Sequence, residues 1–120
     1  MSISLSDASL KTYRQLLPAS LAIMKKAEKY FTDEGANLND LAEMRLIEDM
    51  APLTFQVFSV VHHSVGAIDA LKTGEFAPPK MPENLSFNDL IGMLENAEEK
   101  LNHFSDEDIN SLSGKEVMFR

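Results

Sequence analysis

The chain has 120 residues, no cysteine and a net charge of −8, with 44% hydrophobic and 25% charged residues. This length and composition are typical of one globular domain. The acidic balance argues against nucleic acids and anionic membranes as partners, because both attract clustered Lys and Arg. Without cysteine there is no disulfide and no thiol chemistry. The first residues, MSISLSDASL, lack the basic start and long apolar core of a signal peptide, so we expect a cytoplasmic protein.

The first predicted helix covers about residues 7–34. An apolar stripe runs along it, and its side chains recur at the spacing of an amphipathic helix. Seven residues make up the stripe: Leu10, Tyr13, Leu17, Leu21, Met24, Ala27 and Phe31. Gly35, Asn37 and Asn39 then mark a break. The stripe predicts one long helix that packs on a core.

The second predicted helix covers about residues 38–73. At about 100° per residue, eight side chains fall on one face, which we expect to be the core face. They are Leu46, Met50, Leu53, Val57, Val60, Ser64, Ile68 and Leu71. Pro52 lies near the middle of this segment. Because proline removes a backbone hydrogen bond, it predicts either a kink or a break at which a new helix begins.

A loop, a third helix and a tail complete the chain. One glycine and three prolines in KTGEFAPPKMPEN predict an extended loop at about residues 72–85. Ser86 and Asp89 have the spacing of a helix-capping box, which begins a helix at about residues 86–104. Its apolar residues alternate by three and four: Phe87, Leu90, Leu94, Ala97, Leu101 and Phe104. The tail, residues 105–120, begins acidic and ends in an apolar run at 117–119, which forms either a small strand or a first helical turn.

Three amphipathic helices without a strand pattern predict an all-α, up-down helical bundle that spans residues 1–120 as a single domain. Helices of this length with wide apolar faces usually pack in fours. We therefore expect the three long helices to be completed by dimerisation, as a homodimer, or by a helical partner protein.

A row of polar residues follows the flank of the second predicted helix. On the wheel of that helix, Arg45, Asp49, Gln56 and His63 fall within about 40° of one another, roughly 90° from the centre of the core face. One interpretation is an exposed boundary face with an i, i+4 ion pair. The other is a ligand-binding cleft with a guanidinium, a carboxylate, an amide, and an imidazole able to transfer protons near neutral pH.

The three histidines of the chain do not predict a metal site. His62 and His63 are neighbours, and neighbouring residues of a helix point about 100° apart. His103 lies at the far end of another predicted helix. The sequence also has no glycine-rich phosphate loop, no GxSxG motif and no HExxH motif. We therefore expect no metal and no cofactor. A three-histidine site that is completed across a dimer is a weaker alternative.

Residues 45–57 read R-L-x-x-D-M-x-P-L-x-x-Q-V and are followed by Gly66. This pattern resembles the signature of an uncharacterised family of short helical proteins in the DinB/YfiT-like superfamily of four-helix bundles. The first helix and the LSFNDL start of the third helix are similar in placement. The resemblance implies an antiparallel bundle, frequently a dimer. Many such proteins bind a divalent metal through three histidines, and some are thiol-dependent transferases or isomerases.

Proteins of the similar family usually continue into a fourth helix that supplies two of the metal ligands. The present sequence has no positions that match these two ligands, whereas His62 or His63 matches the ligand on the second helix. We expect a small-molecule-binding helical bundle, either a simple binding protein or an enzyme of peripheral metabolism. Arg45 would anchor an anionic or carbonyl group and Asp49 would orient Arg45, while Gln56 and His63 line the cleft. One alternative is a non-catalytic interaction or oligomerisation module, and a weaker one is a divalent-metal-dependent DinB-like transferase or isomerase. No catalytic residue is assigned, and enzymatic activity stays open.

Overall fold

The structure of the protein, a computed structural model, describes residues 3–119. Met1, Ser2 and Arg120, which end the predicted domain, lie outside the described residues. The described chain is mostly helical, as predicted. Its elements in chain order are α1 (Leu5–Ala8), α2 (Leu10–Asp33), α3 (Leu38–Ala42), α4 (Leu53–His62), α5 (Val65–Thr73), β1 (Glu75–Phe76), α6 (Phe87–Asn102), α7 (Asp106–Asn110) and β2 (Met118–Phe119).

Helix α6 lies at the centre of the fold. It packs against α2 on one side and against α4 on the other. Its buried side chains follow the three-and-four spacing of the sequence: Phe87, Leu90, Ile91, Leu94, Ala97 and Leu101. On α2, the residues buried at seven-residue spacing are Leu10, Leu17 and Met24. These faces meet in one apolar core, so the stripes of the first and third predicted helices are correct.

The beginning of α6 is fixed by its own side chains. The Asp89 backbone N–H donates to Ser86 Oγ at 3.0 Å, and the Ser86 N–H donates to Asp89 Oδ2 at 2.9 Å. This is the predicted capping box. At the other end, Arg14 of α2 donates from Nη2 to the carbonyl oxygens of Leu101, at 3.3 Å, and Phe104. Leu101 lies in the last turn of α6 and Phe104 just beyond its end, so Arg14 binds carbonyls at the end of this helix and ties α2 to α6.

The second predicted helix is wrong as a single element, because residues 38–73 form three helices. Helix α3 ends at Ala42, a ten-residue loop covers 43–52, and α4 begins after Pro52, whose backbone is extended at φ −69° and ψ 171°. Proline has no N–H for a preceding turn and disfavours helical backbone in the residue before it. Of the two sequence predictions for Pro52, the break is therefore correct. A second break follows at Ser64, between α4 and α5.

The loop at 43–52 also invalidates the helical wheel on which Leu46 was assigned to the core. Leu46 is 88% exposed, and Val60 is exposed as well. Three of the residues assigned to the core face from Val57 onward are buried, as expected: Val57, Ser64 and Ile68. A wheel is valid only over a continuous helix, and here the continuous stretches are α4 (Leu53–His62) and α5 (Val65–Thr73).

The apolar run near the chain end forms a small strand. Strands β1 and β2 pair in parallel, with Glu75 opposite Met118 and Phe76 opposite Phe119. The Met118 N–H also donates to the Gly74 carbonyl at 2.7 Å. Gly74 has a φ of +82°, a left-handed conformation that favours glycine, and it ends α5. Of the two sequence expectations for the run at 117–119, the small strand is therefore correct, whereas β1 lies in the segment predicted as a loop, because two residues are too short for an alternating pattern.

The described chain is elongated, with extents of 50 × 27 × 24 Å. Its radius of gyration is 16.1 Å, whereas a compact domain of this length has about 14 Å. Helices α2 and α4 both pack on α6 rather than on each other. A groove therefore lies between α2 and α4. Completion of the bundle by a second chain stays a prediction.

Candidate functional site

The four residues of the predicted polar row do not share one helix. Arg45 and Asp49 lie in the loop at 43–52, whereas Gln56 lies in α4 and His63 follows its last residue. Gln56 and His63 keep the seven-residue spacing that places them on one helix face. Two of the four, Arg45 and Gln56, line the same cavity, and Asp49 and His63 are not among its lining residues.

This cavity, here called the loop cavity, lies where the loop at 43–52 folds back between α3 and α4. Its volume is about 290 Å³. The lining residues are Leu41, Met44, Arg45, Leu46, Met50, Ala51, Leu53 and Gln56. The Leu53 N–H donates to the Met44 carbonyl at 3.0 Å, which fixes the start of α4 against the loop. Six lining residues are apolar and two are polar, so the cavity is an apolar pocket with a cation and an amide.

Arg45 is held by backbone carbonyls. Its Nη1 donates to the Met50 carbonyl at 3.0 Å and to the Glu48 carbonyl at 3.5 Å. Within residues 3–119, no ion pair joins Arg45 to Asp49. The predicted orienting role of Asp49 is therefore taken by these carbonyls. A guanidinium has five N–H donors, and those on Nε and Nη2 of Arg45 have no hydrogen-bond partner in the part of the chain that the structure describes.

Gln56 is the second polar group of the loop cavity. Its side-chain Nε2 donates to the Ala51 carbonyl at 3.4 Å, across the start of α4. Like Arg45, it is held by a carbonyl of the loop. The two polar groups are thus positioned by the backbone fold of residues 48–51, which the sequence alone did not predict.

A second cavity, of about 190 Å³, lies in the groove between α2 and α4. We call it the groove cavity, and its lining residues are Ser20, Ile23, Met24, Leu53, Gln56, Val57, Val60 and Leu94. Leu53 and Gln56 line both cavities, so the two adjoin there. Together they follow one face of α4 from the loop toward Val60.

A row of exposed apolar residues runs along α2 and includes Ile23, which lines the groove cavity. Leu16, Ile23 and Tyr30 recur every seven residues, and each exposes more than half of its surface. Seven residues correspond to about two helical turns, so the three lie along one side of the helix. We call them the α2 seam. The seven-residue period of the α2 seam is visible in the sequence, one position before the predicted core residues Leu17, Met24 and Phe31.

His62 lies in an aromatic cluster at the far end of α4. Its ring stacks on Phe76 at 4.6 Å and on Phe58 at 6.4 Å between ring centroids. Its Nε2 is buried and has no hydrogen-bond partner among the described residues. Burial lowers the pKa of His62 below its usual 6.5, and the neighbouring His63 lowers this pKa further. The neutral imidazole is therefore favoured.

His63 has a different environment from His62. It is exposed, and its Nδ1 lies 2.8 Å from the Ser59 carbonyl, so this nitrogen donates. Across residues 3–119, no group of three or more His, Cys, Asp or Glu side chains lies close enough to bind a metal ion together. The three histidines thus do not converge within the chain.

None of the described helices is both long and apolar enough to cross a membrane. A family model described as "Domain of unknown function (DUF1993)" matches residues 5–120. No curated protein and no solved structure matches the chain significantly.

Proposed function

The chain belongs to the DUF1993 family, a family of unknown function, and from this premise we propose that it binds a small molecule in the loop cavity. The ligand has an apolar body and an anionic or carbonyl group, which Arg45 binds. The observation that carries the proposal is the cavity itself, in which Arg45 and Gln56 join six apolar side chains. Its volume of about 290 Å³ is at the small end of ligand cavities, which span roughly 300–1,000 Å³.

Arg45 suits this role because it is already positioned. Two backbone carbonyls hold one of its nitrogens, Nη1. Its free N–H groups on Nε and Nη2 form part of the planar fork with which arginine recognises oxygen ligands. Since less side-chain entropy is lost on binding when a group is already held in place, the arrangement favours affinity.

A binding protein is favoured over an enzyme. The loop cavity is lined by no His, Asp or Glu side chain. General acid–base catalysis needs such a group within hydrogen-bond reach of the reacting atom. His63 and Asp49, the sequence candidates for proton transfer and orientation, are not lining residues. Gln56 is able to donate to a ligand oxygen but does not titrate.

We propose further that the bundle is of the DinB/YfiT-like type. The arrangement of α2 and α4 on either side of α6, with an open groove between them, supports this architecture. A fourth helix-sized position then lies along the groove.

A second candidate function is non-catalytic association through this groove. The exposed α2 seam favours it, because large exposed apolar patches mark interaction surfaces. The occupant we propose is a second copy of the chain, which presents the same seam in a two-fold dimer. Homodimerisation through this groove is therefore our second candidate function.

The test of ligand binding is an NMR titration of the ¹⁵N-labelled chain with hexanoate at neutral pH. We expect shifts of the amides of Met44, Leu53 and Gln56. The variant Arg45→Met should bind at least about tenfold more weakly, since a charge-assisted hydrogen bond contributes about 1.5–3 kcal/mol. Lys80→Met is the matched control, because Lys80 is exposed and lies in another loop. Equal binding by wild type and Arg45→Met would overturn the role of Arg45.

A further inference from the structure

We propose that the ligand is a linear alkyl carboxylate, whose head binds Arg45 in the loop cavity and whose chain runs into the groove cavity between α2 and α4. This ligand class rests on the proposed function and extends it to a second cavity. Two observations carry it: the free donors of Arg45, and the shared walls of the two cavities.

The N–H donors of Arg45 that have no partner determine which head group the ligand has. Nη1 is occupied by the Met50 and Glu48 carbonyls. The N–H groups of Nε and Nη2 lie side by side on the guanidinium, and their spacing matches the two oxygens of one carboxylate. A carboxylate is thus bound by two parallel hydrogen bonds without displacing the carbonyls that hold Arg45.

The negative charge around Arg45 limits the contribution of the carboxylate head group to the binding affinity. Glu43, Glu48 and Asp49 belong to the same loop, and the whole chain has a net charge of −8. These negative charges repel the carboxylate of the ligand. The head group therefore contributes more to specificity than to affinity. Most of the affinity then has to come from apolar contact along the chain of the ligand.

The path for that chain is set by α4. Leu53 and Gln56 line both cavities, and Val60 lies seven residues beyond Leu53. At about 1.5 Å per residue, Leu53 and Val60 are about 10 Å apart along the helix axis. This length corresponds to about eight methylene groups of an extended chain.

The side walls of the groove cavity are apolar. Ile23 of α2 and Val60 of α4 both line it, as do the buried side chains of Met24 and Leu94. Because the two cavities adjoin only at Leu53 and Gln56, the geometry favours an unbranched chain over a branched or fused-ring ligand. A carboxylate of four to six carbons fills only the loop cavity, whereas octanoate and decanoate extend past it into the groove cavity.

The test is a calorimetric titration with butanoate, hexanoate, octanoate and decanoate, all below the concentration of micelle formation. In the wild type, affinity should rise about fourfold per added methylene across the whole series, through decanoate. The variant Val60→Asp introduces a charge into the groove, so decanoate should bind it no more tightly than hexanoate. Val117→Asp is the matched control, since Val60 and Val117 are both 37% exposed and Val117 lies outside the groove.

Methyl NMR of the wild type provides a readout that does not depend on the variants. Decanoate should shift the methyl signals of Ile23, Val60 and Leu94, and butanoate should not. If hexanoate binds with dependence on Arg45 but affinity does not rise with chain length, the chain path is wrong and the proposed function stands. If no carboxylate binds, this inference fails, and so does the proposed binding of an anionic group by Arg45. An equal length dependence in Val60→Asp and Val117→Asp would also overturn the path through the groove.

Discussion

The imidazole ring of His62 stacks on the phenyl ring of Phe76, with ring centroids 4.6 Å apart and planes inclined by 16°. The contact joins α4 to β1. Phe76 in turn packs against Phe119 of β2 at 5.3 Å. The end of the described chain is thus connected to α4 through three aromatic side chains, which makes His62 a structural residue.

Gly66 is required for this stack. A Cβ at position 66 would lie 2.9 Å from Nδ1 of His62, closer than such contacts normally come. The ring has little room to move, because Phe58 and Phe76 both stack on it. We expect Gly66→Ala to destabilise the fold by about 1–3 kcal/mol, as overpacking does in other cores. Urea denaturation measures this change.

Gly92 is the matched control for Gly66. It lies inside α6, and a Cβ there would meet nothing within 4 Å. Because alanine favours the helix over glycine, Gly92→Ala should stabilise the protein by about 0.5–1 kcal/mol. In the background of His62→Ala, the cost of Gly66→Ala should disappear. A stabilising effect of Gly66→Ala in the wild type would show that the ring does not occupy this position.

Protonation of His62 should destabilise the fold at mildly acidic pH. Burial lowers the pKa of His62 in the folded state below 6.5, its ordinary value, which applies to the unfolded chain. Above pH 6.5 both states are neutral, so the full stability is present. Below that pH the unfolded state binds the proton more readily, and stability is lost as the pH falls through the folded-state pKa. The urea midpoint should therefore be lower at pH 5.5 than at pH 7.5.

The variant His62→Phe separates this effect from other titrations. Phenylalanine retains a flat ring for stacking and does not titrate, so the difference between the two pH values should shrink. His103→Phe, at the exposed end of α6, is the control and should retain the difference. If both variants behave alike, His62 is not the source of the pH dependence.

The parts of the fold that the sequence predicted are those set by local, continuous patterns. The seven-residue recurrence from Leu10 to Met24 predicted the buried face of α2, and Ser86 with Asp89 predicted the start of α6. Both depend on residues within one helix. The break at 43–52 was predicted only as one of two options for Pro52. The choice between kink and break depends on hydrogen bonds across the loop, such as that from Leu53 to Met44, which no helical wheel includes.

The capping box at Ser86 should contribute measurably to stability, because α6 contacts both α2 and α4. Ser86→Ala removes the acceptor of the Asp89 N–H, and such substitutions cost about 1 kcal/mol. In a chain of this length we expect the Tm to fall by about 4 °C. Ser113→Ala, at an exposed serine in the turn after α7, should leave the Tm within about 1 °C. Equal effects of the two substitutions would contradict a specific role of the cap.

The candidate site was predicted only in part, for a related reason. Arg45 and Gln56 were selected because they fall on one side of a continuous helix, yet they meet because a loop folds back. Asp49 and His63 were selected by the same wheel and do not line the cavity. The apolar walls of the loop cavity, such as Met44 and Leu46, were missed or assigned to the core. The residue types in the sequence indicated which side chains could bind a ligand. Their positions in space depended on the structure of the loop at 43–52, which the sequence did not predict.

The α2 seam should promote self-association, since Leu16, Ile23 and Tyr30 expose apolar surface beside the groove. Light scattering after size exclusion should show a mass that rises from monomer toward dimer with concentration. Leu16→Asp should shift this equilibrium toward monomer by tenfold or more, because a charge would be buried in the interface. Met118→Asp is the control: Met118 is 59% exposed and Leu16 is 54% exposed, but Met118 lies in β2.

Decanoate should also favour the monomer if its chain occupies the groove, because ligand and second copy then compete for one surface. A monomer at all concentrations up to about 100 μM, well above the dissociation constants typical of stable interfaces, would contradict the dimer.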